Sequence, residues 1–340
     1  MDHATGEILF ESNLHMSLPP ASMTKMMTAL IAMEEIETGN MELQRPVKVS
    51  AKASLIGGSQ VYLKHGEDFT LEELMRALMI HSANDAAVAI AETVAGSTEA
   101  FVDLMNMRAS ELGMIDSTFH SVHGLPPGKG QKMDATSAYD MAILARHLIR
   151  YPKVLEWTSI MTAPFRGGKF TLYNTNKLIG RYQGLDGIKT GYIKESGYCV
   201  TATALRRSRR MISVVMGAPS EKAKQTETTR LLTMGFHMYR TLTLADASQV
   251  IEGGLSVEDG KVDRIAVAYA EPLSIEVRKD RASEVELVND LPEEIEAPVT
   301  SGQVVGKGIA RLDGQTLAET PIIALESVEE ASLWEKIIPW

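Results

Sequence analysis

The chain has 340 residues, 44% hydrophobic and 23% charged, ordinary globular values at a length that predicts two domains. A formal net charge of −10, with no stripe of Lys and Arg to displace counterions, argues against a nucleic-acid partner. The single Cys199 excludes an internal disulfide, and neither a signal peptide nor a run of 18 apolar residues is present.

In chain order, the first strong element follows Pro19-Pro20, where Met23, Met26, Met27, Leu30 and Ile31 repeat at i, i+3, i+4, i+7 and i+8. That spacing predicts a buried helix starting near Ser22. Residues three apart share a helix face, so Ser22 and Lys25 are expected to touch. A serine hydroxyl is a poor nucleophile at neutral pH and needs a positioned base, and a lysine at this spacing supplies one. The free N–H groups and the dipole of a helix N-terminus favour an oxyanion forming there. Thr70-Leu-Glu-Glu73 reads as a capping box, followed by the apolar stripe Leu71, Leu74, Met75, Leu78 and Met79, which runs into Ser82-Ala83-Asn84. Helices are further expected over residues 86–95, stopped by Gly96, over 101–112, stopped by Gly113, and over 138–150, stopped by Pro152. Together they predict an all-helical lobe.

Residues 169–174, 198–205 and 211–216 are β-rich, and 222–241 read as helical again, which predicts a sheet covered by terminal helices with the site between sheet and lobe. From about Gln249 the pattern shifts to short alternating runs at 265–269, 273–277, 284–288 and 303–307, punctuated by Gly, Asp and Pro, which predicts a β-sandwich. The acidic stretch Pro292 to Pro298 reads as a solvated hairpin edge in preference to a metal site. Arg206, Arg207, Arg209 and Arg210 read as a solvated turn between two strands. Cys199 reads as a buried, inert thiol. His81 has no paired Asp for a triad. None of the eight histidines has H-x-x-x-H or H-x-H spacing, so no metal or cofactor is expected.

Three words occur in order and carry the chemistry: Ser22-Met-Thr-Lys25, Ser82-Ala-Asn84 and Lys189-Thr190-Gly191. Each alone is weak, the rarest, K-T-G, turning up by chance in on the order of one such chain in ten. As an ordered set, S-x-x-K, S-x-N and K-T-G mark serine acyltransferases of the penicillin-recognising kind. With Pro20-Ala-Ser-Met-Thr-Lys25-Met-Met-Thr28, Ser82-Ala-Asn-Asp-Ala-Ala87, His123-Gly-Leu125, Asp140-Met-Ala142 and Leu185-Asp-Gly-Ile-Lys-Thr-Gly191, the chain resembles the low-molecular-mass penicillin-binding proteins that act as D-alanyl-D-alanine carboxypeptidases.

The resemblance implies an α/β penicillin-binding domain of the serine β-lactamase/transpeptidase-like fold over residues 1–245, with an antiparallel sheet flanked by helices and an all-helical lobe. It implies a small C-terminal β-sandwich domain over 249–326 and the start of a C-terminal helix over 327–340. The implied substrate is a peptidoglycan stem peptide ending in D-Ala-D-Ala, with β-lactams as covalent inhibitors. By carry-over, Ser22 is the nucleophile and Lys25 the base, whose pKa burial and the facing Lys189 ammonium should lower. Ser82 relays a proton to the leaving amine, and Asn84 bonds the substrate amide and Lys25. Lys189 supplies positive charge, Thr190 meets the terminal carboxylate, and the N–H groups of Ser22 and Tyr192, the latter just after Gly191, form the oxyanion hole. The phrase Asn174-Thr175-Asn176 stands where some members carry Asn-Arg-Asn, so carboxylate recognition is left to Thr190 or to another cation. His123 is open between lining the cleft and a structural loop role.

The resemblance also implies an extracytoplasmic location. Residues 1–10 look like half of the family's first strand and its turn, and an N-terminally incomplete chain is expected. The end, with Leu333, Trp334, Ile337 and Ile338 among four Glu residues, is expected to be only the beginning of a membrane anchor. Two other readings stand beside the carboxypeptidase. A class A β-lactamase would need an E-x-x-x-N word between Asn84 and Lys189, which is absent. A non-catalytic sensor would not need Ser22, Lys25, Ser82 and Lys189 intact.

Overall fold

The computed structural model describes residues 1–128 and 130–332, and the chain forms two compact units, Met1–Phe236 and His237–Trp340. The first unit runs through α1 (Lys25–Glu37), β1 (Pro46–Lys48), α2 (Ala51–Leu55), β2 (Asp68–Thr70), α3 (Leu71–Arg76), α4 (Asn84–Ala95) and α5 (Thr98–Glu111). It continues with α6 (Ala138–Leu148), α7 (Pro152–Thr158), β3 (Thr162–Phe165), β4 (Phe170–Tyr173), β5 (Leu185–Ile193), β6 (Gly197–Arg206), β7 (Arg209–Ala218) and α8 (Glu221–His237).

Helix α1 is the centre of this unit. Residues Lys25 to Met33 are buried without a break, the pattern of a helix enclosed on all sides, and Met26, Met27, Leu30 and Ile31 anchor one continuous hydrophobic core. The expected helix start at Ser22 is a tight 3-10 turn, Ala21–Thr24, that passes directly into α1. The capping box forms as expected: Thr70 Oγ1 accepts from Glu73 N, and the Glu73 carboxylate accepts from Thr70 N at 2.8 Å. The helix it starts does not stay regular. After Arg76 it widens to a π-helical stretch, Ala77–His81, and ends at Ser82 in the left-handed conformation (φ +65°). A serine held there costs on the order of 1–3 kcal/mol, a strain typical of functional sites.

The sheet is antiparallel in the order β5-β6-β7, so the K-T-G strand is an edge. At the other side, Met1 donates from its amine to Ile212 O and accepts from Ile212 N, both at 2.9 Å, which brings the first residues onto β7. The arginine cluster at the β6–β7 turn is engaged. Arg210 forks onto Asp186 at 2.7 Å, and Arg206 stacks on Tyr182 and Phe236.

Gly124 needs its missing side chain. Its φ is +80°, and a Cβ there would lie 1.8 Å from the Ala21 carbonyl oxygen, on the turn that carries Ser22. Gly124→Ala is therefore expected to cost about 3 kcal/mol or more, from the left-handed backbone and the forced separation of two main chains. Thermal unfolding should show it as a melting-temperature drop of roughly 6–12 °C for the first unit.

The second unit contains β8 (Tyr239–Ala245), β9 (Leu255–Glu258), β10 (Arg264–Ile265), β11 (Val267–Tyr269), β12 (Leu273–Arg278), β13 (Glu286–Asp290), β14 (Glu294–Glu296), β15 (Val304–Leu312) and β16 (Gln315–Ala324). They form a four-stranded sheet β11-β16-β15-β13, a three-stranded sheet β10-β9-β14 and the pair β12-β8, around a core that includes Val267, Tyr269, Leu273, Ile275 and Ile322.

Three expectations change here. The helix expected over 222–241 ends at His237, because Thr241-Leu-Thr-Leu244 alternates with period two and pairs with β12; β8 therefore belongs with the second unit and not with residues 1–245. The acidic stretch is a solvated sheet edge as expected but not part of a hairpin, since Glu294–Glu296 is the edge strand β14 and pairs in parallel with β9. Residues 327–332 are extended, with bridges Val299↔Val328 and Gly260↔Glu330, where the start of a helix was expected. The anchor reading of Leu333 to Trp340 lies outside the described residues. Among the described residues, no helix is long and apolar enough to cross a membrane.

Candidate active site

Lys25 is fully buried, and its Nζ lies 3.0 Å from Ser22 Oγ and donates to the His123 carbonyl at 2.7 Å. The 3-10 turn places Ser22 half-buried while Lys25 enters the core. Burial pulls the Lys25 amine well below the ordinary lysine pKa, and the Lys189 charge adds to that; Asp134 and Asp85 oppose it. A neutral amine is what a proton acceptor requires.

The widened end of α3 and the left-handed turn at Ser82 bring the second motif in. Ser82 Oγ and Asn84 Oδ1 are both buried with no hydrogen-bond partner among the described residues, which leaves them available to a ligand. Asn84 Nδ2 donates to Gly57 O at 2.8 Å, in place of the expected contact with Lys25. The same segment is fastened to α4 by Asp85, whose carboxylate accepts from Val61 N and Leu63 N at 3.0 Å.

The third motif lies on β5. Lys189 is 1% exposed, and its Nζ donates to Thr190 O at 3.1 Å. Gly191 is seated on the nucleophile turn: a Cβ there would be 2.6 Å from Pro20 O and 3.2 Å from Ser22 N. That approach sets the edge strand beside the backbone of Ser22. Tyr192, next along, is exposed and packs its ring on Tyr198. Thr190 Oγ1 donates to Thr175 Oγ1 at 2.7 Å, so the Asn174-Thr175-Asn176 phrase does stand beside K-T-G, with a threonine hydroxyl in place of an arginine.

The sequence pattern of the D-alanyl-D-alanine carboxypeptidase family matches residues 1–220, and that of the penicillin-binding protein 5 C-terminal domain matches 239–330. The chain belongs to the D-alanyl-D-alanine carboxypeptidase family. It is 37% identical to the carboxypeptidase DacF of Bacillus subtilis, over 97% of this chain and 85% of the relative, and 33% identical to DacC of Escherichia coli, over 99% and 85%. Among solved structures, penicillin-binding protein 5 of Haemophilus influenzae superposes with a TM-score of 0.69 at 30% identity, covering 97% of this chain and 96% of that one. Penicillin-binding protein D2 of Listeria monocytogenes, solved with ampicillin bound, matches with a TM-score of 0.63 at 33% identity, over 69% of this chain and 94% of its own.

Lys25 and Lys189 are two fully buried lysines whose pKa values are both lowered by burial. Burial pulls Lys189 down to about 7, and the next contribution is the charge of Lys224 on α8, itself 4% exposed and paired with Glu221 at 2.8 Å. Lys224 was not singled out from the sequence, where it is one of several charged residues on an amphipathic helix. The His123 carbonyl was missed too, because a backbone acceptor has no residue-type signature. The His123 ring takes the structural role: its Nδ1 accepts from Leu125 N, and burial pushes its pKa to about 3. His81 Nδ1 accepts from Tyr173 N, away from any triad, and Cys199 is buried with its thiol pushed up by burial. Among the described residues, no cluster of His, Cys, Asp and Glu could hold a metal.

If the Lys189 ammonium attracts an anionic ligand, acylation efficiency falls as pH rises through its pKa of about 7 in the free enzyme. Lys224→Gln removes the nearby positive charge, raises the Lys189 pKa, and should move this alkaline limb upward. Rates of β-lactam acylation measured from pH 5 to 10 check it; an unmoved or lowered limb would show that Lys189 is not the group titrating.

Proposed function

We propose that this chain removes the terminal D-alanine from peptidoglycan stem peptides through an acyl-enzyme on Ser22, and that β-lactams acylate the same serine. Ser22 Oγ attacks the penultimate D-alanine carbonyl while its proton passes to Lys25 Nζ. The negative charge that develops on the carbonyl oxygen meets the N–H of Ser22, on the turn that starts α1, and the N–H of Tyr192 on β5. Collapse breaks the C–N bond, and Ser82 relays a proton to the departing D-alanine amine. Water then hydrolyses the ester, with the same lysine taking its proton. Lys189 and Thr190 hold the substrate carboxylate, and Asn84 the peptide amide.

The observation that carries this reading is the 3.0 Å contact between Ser22 Oγ and a fully buried Lys25 whose pKa burial depresses. Action on peptidoglycan places the protein outside the cytoplasmic membrane. The test is D-alanine release from a peptide ending in D-Ala-D-Ala, run beside penicillin hydrolysis. A carboxypeptidase turns over the peptide and releases hydrolysed penicillin slowly. Rapid penicillin turnover with an inert peptide would favour a β-lactamase, and no turnover of either would favour a binding module.

A further inference from the structure

Asp134 is a buried carboxylate that the reaction described above does not use. It is 5% exposed and lies just before α6, yet the hydrogen bonds its carboxylate accepts among the described residues run to the two segments that hold Lys25. One oxygen accepts from His120 N at 2.7 Å and Ser121 N at 2.9 Å. The other accepts from Ser121 Oγ at 2.9 Å and, across 110 residues of chain, from Thr24 Oγ1 at 2.8 Å. Ser121 Oγ in turn accepts from Gly124 N at 2.8 Å, which closes the loop around His123. Thr28, one turn along α1, holds the same loop through Val122 O at 2.8 Å.

The residue at the apex of this loop is His123, whose carbonyl takes the Lys25 amine. A neutral lysine amine has two N–H groups and one lone pair. With one N–H committed to a fixed carbonyl, the rotation of the amine is restricted, and its lone pair is held in reach of Ser22 Oγ. A carbonyl can do this only if its own position is fixed. We propose that Asp134 is a positioning residue for the acylation step: it ties the His123 loop to the nucleophile turn, and its negative charge stabilises the lysinium that forms when Ser22 gives up its proton. The second half of that role matches the balance of charges around Lys25, where Asp134 and Asp85 on α4 favour the protonated amine, Lys189 on β5 disfavours it, and His123 is neutral above its pKa of about 3. Four donated hydrogen bonds oppose the desolvation that pushes the Asp134 carboxyl upward.

The inference rests on Lys25 being the base, which Lys25→Arg tests separately. Asp134→Asn keeps the size of the side chain, and its amide can donate to the two hydroxyls that the carboxylate accepts from, so the loop can stay in place while the charge is lost. Without that charge Lys25 is a weaker base with a lower pKa. The acid limb of the pH profile for acylation by penicillin should then move down by about half a unit or more, with a lower plateau. A carboxylate that only braced the loop would slow acylation without moving the limb, so an acid limb coincident with wild type overturns the proposal. Thr24→Val cuts one tether and leaves the charge in place; it should slow acylation at neutral pH by about threefold or more with the acid limb unmoved. If Asp134→Asn does not fold, this second variant decides, and a rate within threefold of wild type overturns the proposal.

Discussion

Ser22→Ala is expected to lower D-alanine release by about 10⁴ or more, because the nucleophile is removed and nothing replaces it. Ser82 is the other serine in the site, but it is buried, lies in a strained left-handed turn, and has no lysine three residues on. The fold should be unaffected. Ser22 is half-buried, and the side-chain contact it loses, Lys25 Nζ, keeps its second partner in the His123 carbonyl. A variant that stays folded by circular dichroism and still releases D-alanine within tenfold of wild type would remove Ser22 from the mechanism.

Lys25→Arg is expected to slow acylation by ~10² or more, since a guanidinium does not deprotonate near neutrality and general-base help is lost. The structure adds a cost that the sequence did not suggest. Lys25 sits in a fully buried pocket that depresses its pKa, so the folded state favours an uncharged amine there. Arginine brings a larger group with a permanent charge, and a lower melting temperature should accompany the kinetic loss. Stopped-flow acylation of the folded fraction separates the two effects. Near wild-type acylation would show that Lys25 is not the base.

The parts legible in the sequence were those written in side chains at short range. The Thr70–Glu73 box and the stripe behind it needed only local periodicity, and the helical repeat of Met23, Met26, Met27, Leu30 and Ile31 marked α1 as a buried helix. Ser22, Lys25, Ser82, Asn84, Lys189 and Thr190 are side chains in short words, so their types and order exposed them. What escaped was set by tertiary packing. The π-helical widening before Ser82 depends on what α3 packs against, and the left-handed Ser82 has no glycine to mark it. The end of α8 was misread because the apolar period continues through Leu231, Leu232, Met234 and Phe236 toward Tyr239, while the alternation that starts β8 spans only a few residues. The His123 carbonyl acts through the backbone, and Asp134 and Lys224 reach the site from segments with no recognisable word.

The most direct test of the central claim is the site of covalent attachment. Wild-type protein incubated with penicillin should gain the mass of one intact β-lactam, stable for minutes or longer, and fragmentation should place it on the peptide containing Ser22. Ser22→Ala should gain none. A non-covalent complex in wild type, or an adduct that persists in Ser22→Ala, would contradict an acyl-enzyme on this serine and the mechanism built on it.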